Sequence, residues 1–320
     1  GSYNVAIGAS ALGVNTTAAS NTAVGYGSLT ANTTGTTNVA VGSTAMAANT
    51  TADNNTGIGA ASMNGNTTGT RNTAVGSDSL KVNTTGNDNT AVGKGALTAN
   101  TTASNNTAVG KNALAANTTG ANNTAVGKSA LDANTTGASN TVLGADALSA
   151  DTQGSRSVAI GTSALEVQNF TTATNTYNVA VGFNAGAAIS TGTLNTAVGG
   201  LSLDATTTGS YNTAVGYSAG GAITTGESNV CIGYNAGDAI TTGGANTGLG
   251  AGALGATTTA GNNVAVGFEA LGANTTGSLN TAVGRYALDA NTTGGDNVAI
   301  GADALGAATT AGDNVAIGHL

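Results

Sequence analysis

The sequence predicts an all-β chain wound as a parallel β-solenoid, 17 residues to the coil and about 18 coils long. Three observations predict it. The first is a period. Asn stands at 4, 21, 38, 55, 72, 89, 106, 123 and 140, then at 178, 195, 212, 229, 246, 263, 280, 297 and 314, with Ser157 in the missing place. Every interval is 17 residues except 157 to 178, which is 21. The second is a Gly four residues after each of these, from Gly8 to Gly318. The third is composition. With 51 Gly, no Trp, only 7 Tyr and 3 Phe, the chain has too few large side chains for a broad core and needs a thin one.

Taking the recurring Asn as position zero, each coil reads in order. Position one is Thr or Val, position two is small, and position three is Val, Ile or Leu, as in Thr22-Ala23-Val24. This is a short strand of period two with β-branched residues on one face. The other face holds almost only Ala, with Gly57, Val142, Cys231 and Gly248 as variants. A solvent-facing position would admit Lys or Glu somewhere, so both faces are expected to be buried, one inside the coil and one against a neighbour. Gly at position four predicts positive φ or a close backbone approach. A second strand is expected over positions seven to eleven, with Leu or Met at position eight. Gly186, Gly220 and Gly237 replace that Leu in the same coils that carry Ile189, Ile223 and Ile240 at position eleven, where Asn is usual. Apolar volume leaves one site and enters another, as a core of fixed volume requires. Asn-Thr-Thr-Gly then turns the chain.

Coils stacked in parallel about 4.8 Å apart would form a rod on the order of 85 Å long, with the Asn of position zero hydrogen-bonded in a ladder. The array divides into regular repeats over 1–156, an irregular coil over 157–177 with a four-residue insertion, and regular repeats over 178–320, all one continuous solenoid. The insertion, with Phe170 and Tyr177, reads as a decoration, a binding bump or a neutral accident. The leading Gly1-Ser2 reads as a cloning remnant. Neither end carries an obvious cap, which predicts flanking domains or joined subunits.

At Asn-Val-Ala-Ile-Gly, Asn-Thr-Ala-Val-Gly and Ser-Val-Ala-Ile-Gly the chain resembles the head repeats of trimeric autotransporter adhesins. The longer unit, with Ala-Leu and Asn-Thr-Thr-Gly, resembles the repeat arrays of bacteriophage tail-fibre and related surface proteins. The resemblance covers essentially the whole chain. It implies a left-handed β-roll with three parallel chains side by side. The Ala face independently suggests the trimer, since a three-fold axis would supply its close neighbour. The 17-residue period and the added turn depart from the adhesin heads, and neither an anchor nor a coiled-coil stalk is in the sequence.

Chemistry is sparse. The net charge of −8 disfavours nucleic acid, and no apolar run approaches the roughly 20 residues of a membrane helix. The single Cys231 sits in a strand and reads as a packed thiol; His319 is the only His. Asp296 and Asp313 stand in turns that are similar to calcium-binding ones but lack the repeated nonapeptide. No cofactor, no metal site and no enzyme activity are expected. Position five is the candidate recognition ladder, with Tyr26, Lys94, Lys111, Lys128, Phe183, Tyr217, Tyr234 and Phe268, and His319 beyond them. Aromatics displayed there could grip a glycan or receptor, or the position could be a solvated edge. Asn15, Asn32, Asn49, Asn66, Asn83, Asn100, Asn117, Asn134, Asn274 and Asn291 head N-x-T sequons, hence candidate glycosylation sites, unless they only satisfy the turn. Paired Thr at positions twelve and thirteen raise ice binding, but adjacent Thr point to opposite sides.

The expected function is a structural fibre or shaft, of a phage tail fibre or a cell-surface adhesin, located outside the cell or on the virion. Its partners would be itself, as homotrimer or filament, and a surface glycan or receptor. The alternatives are a self-assembling, glycosylated filament of single-chain solenoids, and an ice- or glycan-binding module.

Overall fold

The computed structural model describes residues 1–319 and contains β-strands and turns but no helix among them. It is a parallel β-solenoid of about eighteen 17-residue turns. Contacts group the chain into two compact units: Gly1–Ser157 with Asn169–Asn175, and Val158–Gln168 with the residues from Thr176 onward. The first unit holds nine three-residue strands, from Val5–Ile7 and Thr22–Val24 to Thr141–Leu143, each paired in parallel with the same positions of the next coil, as Thr90 with Thr107 and Val92 with Val109. The second holds ten, from Val158–Ile160 and Val179–Val181 to Val315–Ile317, paired the same way.

Stacking bonds extend beyond the strands. Gly93 N–H donates to the Val75 carbonyl of the preceding coil at 2.8 Å, and Asn112 N–H to Lys94 at 3.0 Å. Leu97 N–H donates to Ala113 of the following coil at 3.0 Å, and Thr101 N–H to Thr118 at 3.1 Å. Each coil therefore satisfies its backbone against both neighbours, which is how a chain with so small a core keeps its polar groups paired.

The second expected strand is absent. Positions five to ten are turns. Among the described residues position six is left-handed in every coil, as Asn112 (φ 58°) and Ser129 (φ 52°), and so is position eight, as Leu97 (φ 50°) and Leu114 (φ 52°). Residues alternating between positive and negative φ cannot extend. They make two tight turns instead, closed by Ala113 N–H to Gly110 O at 3.3 Å and Asn117 N–H to Leu114 O at 3.2 Å. The turn drives the Leu side chain inward, where Leu29, Leu80, Leu97 and Leu114 are fully buried with Met46 and Met63.

The expected outer Ala face is also reversed. Position two points into the coil: Ala23, Ala74, Ala91 and Ala108 are fully buried. A Cβ built on Gly57 would lie 2.9 Å from Met46 Cγ. Position two is small because the Leu or Met of position eight reaches across to it, and no three-fold neighbour is needed to explain it. The β-branched residues of positions one and three face outward, half-buried or exposed. The volume exchange is observed directly. A Cβ on Gly186, Gly220 or Gly237 would meet the Cδ1 of Ile189, Ile223 or Ile240 at 2.9 Å, so each Ile fills the space its Leu would occupy.

Gly at position four meets both expectations. Its φ lies near +135° in Gly110, and an added Cβ would come within 2.6 Å of the Gly127 carbonyl carbon. In the irregular coil, Phe170 is nearly buried and its N–H donates to Asp151 Oδ1 at 3.1 Å, while Gly154–Ser155 pairs in parallel with Thr174–Asn175. The insertion is thus tied into the first unit rather than hanging from it.

Candidate functional site

Two sets of buried Asn link neighbouring coils, one at position zero in most coils and one at position eleven from Asn32 to Asn134 and between Asn274 and Asn291. At position zero, Asn106 Oδ1 accepts from the Asn123 N–H at 2.9 Å, and Asn106 Nδ2 donates to Gly120 O at 2.9 Å. At position eleven, Asn117 Nδ2 donates to Asn100 Oδ1 at 3.0 Å and to the same Gly120 O at 3.0 Å. The sequence suggests the first ladder; the second lies hidden in the turn motif. It also takes in the sequon residues. Asn32, Asn49, Asn66, Asn83, Asn100, Asn117, Asn134, Asn274 and Asn291 are fully buried, and Asn15 is half-buried. In each of the ten the amide nitrogen that would carry a sugar donates to the carbonyl three residues on, as Asn15 to Ala18 at 3.2 Å and Asn117 to Gly120 at 3.0 Å. The Thr of position twelve is used as well: Thr101 Oγ1 donates to Thr118 O at 3.1 Å. The Thr of position thirteen, such as Thr102 and Thr119, is exposed.

All eight residues of the position-five ladder are exposed. The fold brings some of them together. Tyr217 and Tyr234 stack with ring centroids 6.0 Å apart and planes 13° apart. Lys94, Lys111 and Lys128 stand on three consecutive coils. Tyr26 and Phe183 have no ring partner among the described residues, and Phe268 meets Tyr286 edge-on at 5.4 Å. Tyr286, at position six, escapes a reading confined to position five; Arg285 lies 5.1 Å over its ring and 3.4 Å from Asp303.

Beside the tyrosines lies a groove of about 510 Å³ between Asp204 and Asp238, over Gly221. A second groove of about 410 Å³ continues along Asp238, Gly255, Glu269 and Asp289. Position nine reads Asp204, Gly221, Asp238, Gly255, Gly272 and Asp289 here, so the glycines form the floors and the carboxylates the walls. Burial pushes the Asp204 and Asp238 carboxyls above the usual range, against backbone hydrogen bonds that lower them. Burial also pushes the Cys231 thiol up to about 12, with Asp238 adding to it. That leaves a buried, inert thiol. Among the described residues no group of three or more His, Cys, Asp or Glu could hold a metal ion, and no helix is long and apolar enough to cross a membrane.

Searches with protein-family models and against curated proteins give no match to this chain.

Proposed function

We propose that this chain is a structural fibre or shaft segment on a cell or virion surface, built to assemble with copies of itself. The observation that carries the reading is the outward strand face. Positions one and three present two ranks of Thr, Val, Ile and Leu in every coil, with no charged residue among them. Several are well exposed, including Leu143, Leu249, Ile58 and Ile300. A face this long and uncharged is unusual for a monomer. Another copy of the chain offers the same side chains at the same coil spacing, so it is the partner that fits. The homotrimeric left-handed roll implied by the resemblance would cover this β-branched face in place of the Ala face. Interlocked coil-to-coil ladders suit a load-bearing role, because each coil is held by its neighbours.

Native mass spectrometry and sedimentation equilibrium of the purified chain test this. A discrete trimer is expected, and Val75→Asp with Val92→Asp should reduce it to monomer. A wild-type chain that stays monomeric at high micromolar concentration would sink the reading. An open-ended polymer would favour the filament instead.

A further inference from the structure

Charge is divided unevenly. The first unit holds six acidic residues and six basic ones. The second holds nine acidic residues, including Asp204, Asp238, Glu269 and Asp289, against Arg285 alone, so the formal net charge of −8 belongs to it. Several cations of the first unit are engaged: Arg71 with Asp88 at 2.6 Å and Lys81 with Asp78 at 2.9 Å. Lys94 and Lys111 have no carboxylate within ion-pair distance among the described residues, and Lys128 has only a loose one, Asp146 at 3.5 Å. In the second unit, Asp204 and Asp238 wall the tyrosine-lined groove with no basic partner among the described residues. Half-buried carboxylates without a counter-charge are a standing cost that a docked cation would remove.

We propose that the Lys94, Lys111 and Lys128 stripe of one chain docks into the Asp204–Asp238 groove of a second chain. The spacings agree. Lys94 and Lys128 are 34 residues apart, two coils, and so are Asp204 and Asp238. The outer lysines meet the two carboxylates whichever way the partner runs. The central Lys111 enters over Gly221, beside the Tyr217 and Tyr234 rings, which offer cation–π faces. Lys128 exchanges Asp146 for a groove carboxylate at little cost, since an exposed pair is worth little. The contact uses positions five to nine, so it is separate from the uncharged strand face and does not depend on it. The two are also distinguishable by salt, which screens this contact and not the apolar one.

Sedimentation velocity of the full chain over a concentration series, at about 0.05 and 0.5 M sodium chloride, provides the test. The variants are K94E/K111E/K128E and D204K/D238K, all at exposed or half-buried positions, with circular dichroism melts to show that each folds. Wild-type chains should associate more strongly at low salt, beyond any trimer. Each variant alone should lose at least about tenfold in that association. Mixing the two variants should restore it, because the Glu stripe of one then faces the Lys groove of the other. Salt-insensitive association, or a mixture no better than either variant alone, overturns the proposal. So does calorimetric binding of spermidine in a groove that no second chain enters.

Discussion

Asn106 shows how much of this fold rests on single amides. Its Oδ1 is the partner of the Asn123 N–H, and its Nδ2 caps Gly120 O. Asn106→Ala leaves a buried N–H without an acceptor, and we expect a loss of about 2–3 kcal/mol, read as a lower melting temperature. The opposite sign is expected where the ladder has been replaced. Thr206 and Thr257 occupy position eleven, fully buried, with hydroxyls that find no partner. Thr206→Val and Thr257→Val should each raise stability by about 1 kcal/mol, because they remove a desolvated group without changing shape much. A melt of the double variant below wild type would contradict this. The residue scale is also where the sequence was most legible. Gly at position four is needed twice over, for its φ and for the approach of the next coil, and nothing else could stand there. The second Asn ladder was hard to see because Asn-Thr-Thr-Gly is equally good as a plain turn. Only the three-dimensional path shows that Asn100 and Asn117 point inward.

At the scale of the coil, the strand of positions one to three follows from its pattern, while the stretch after it does not. Leu in the left-handed region runs against ordinary preference. A reader of Ala-Leu-Thr-Ala-Asn has no local signal that Leu97 takes φ 50°. Stacking enforces it, because the N–H of Leu97 must reach Ala113 in the next coil. The inversion of the Ala face has a related cause. A three-residue strand sends just one side chain inward, and Leu or Met from the opposite wall leaves it room for a small one, Ala in most coils and nothing larger than Val142. The β-branched ranks therefore look like core while lying outside. Where Leu is missing, the packing makes a sharper prediction. Gly220→Leu alone should clash with Ile223 and cost about 1–3 kcal/mol. Ile223→Asn alone should leave a void around Gly220 and cost at least as much. The double variant restores the usual Leu and Asn pair and should recover most of both losses. A double-mutant cycle measured by urea denaturation would show a coupling near zero if the two sites were independent.

At the scale of the whole molecule, carboxylates and coil register make two predictions. Burial raises Asp132, Asp204 and Asp238 above 3.8, so what they add to stability is complete below that value and is lost as pH rises through their folded values. Asp78 and Asp88 are lowered by Lys81 and Arg71 and act in the opposite sense, losing their contribution as pH falls below 3.8, but both are exposed pairs of small weight. Moving from neutral toward about pH 5 should therefore hold or raise the melting temperature, where a steady fall would refute the argument. The second prediction concerns length. Because each coil contacts only its neighbours, one can be removed if every ladder stays in register. Excision of the 17 residues 106–122 joins Asn105 to Asn123 and sets Asn123 on Asn89, with strand, Gly and both Asn ladders matched to their like. We expect that deletion to fold and to melt within a few degrees of the parent. Removing one more residue, Asn105, puts the junction turn out of step with its neighbours and turns inward-facing side chains outward. That variant should lose far more, in a circular dichroism melt run beside the first. If 17- and 18-residue deletions proved equally stable, the in-register ladders would not be what holds the coils together.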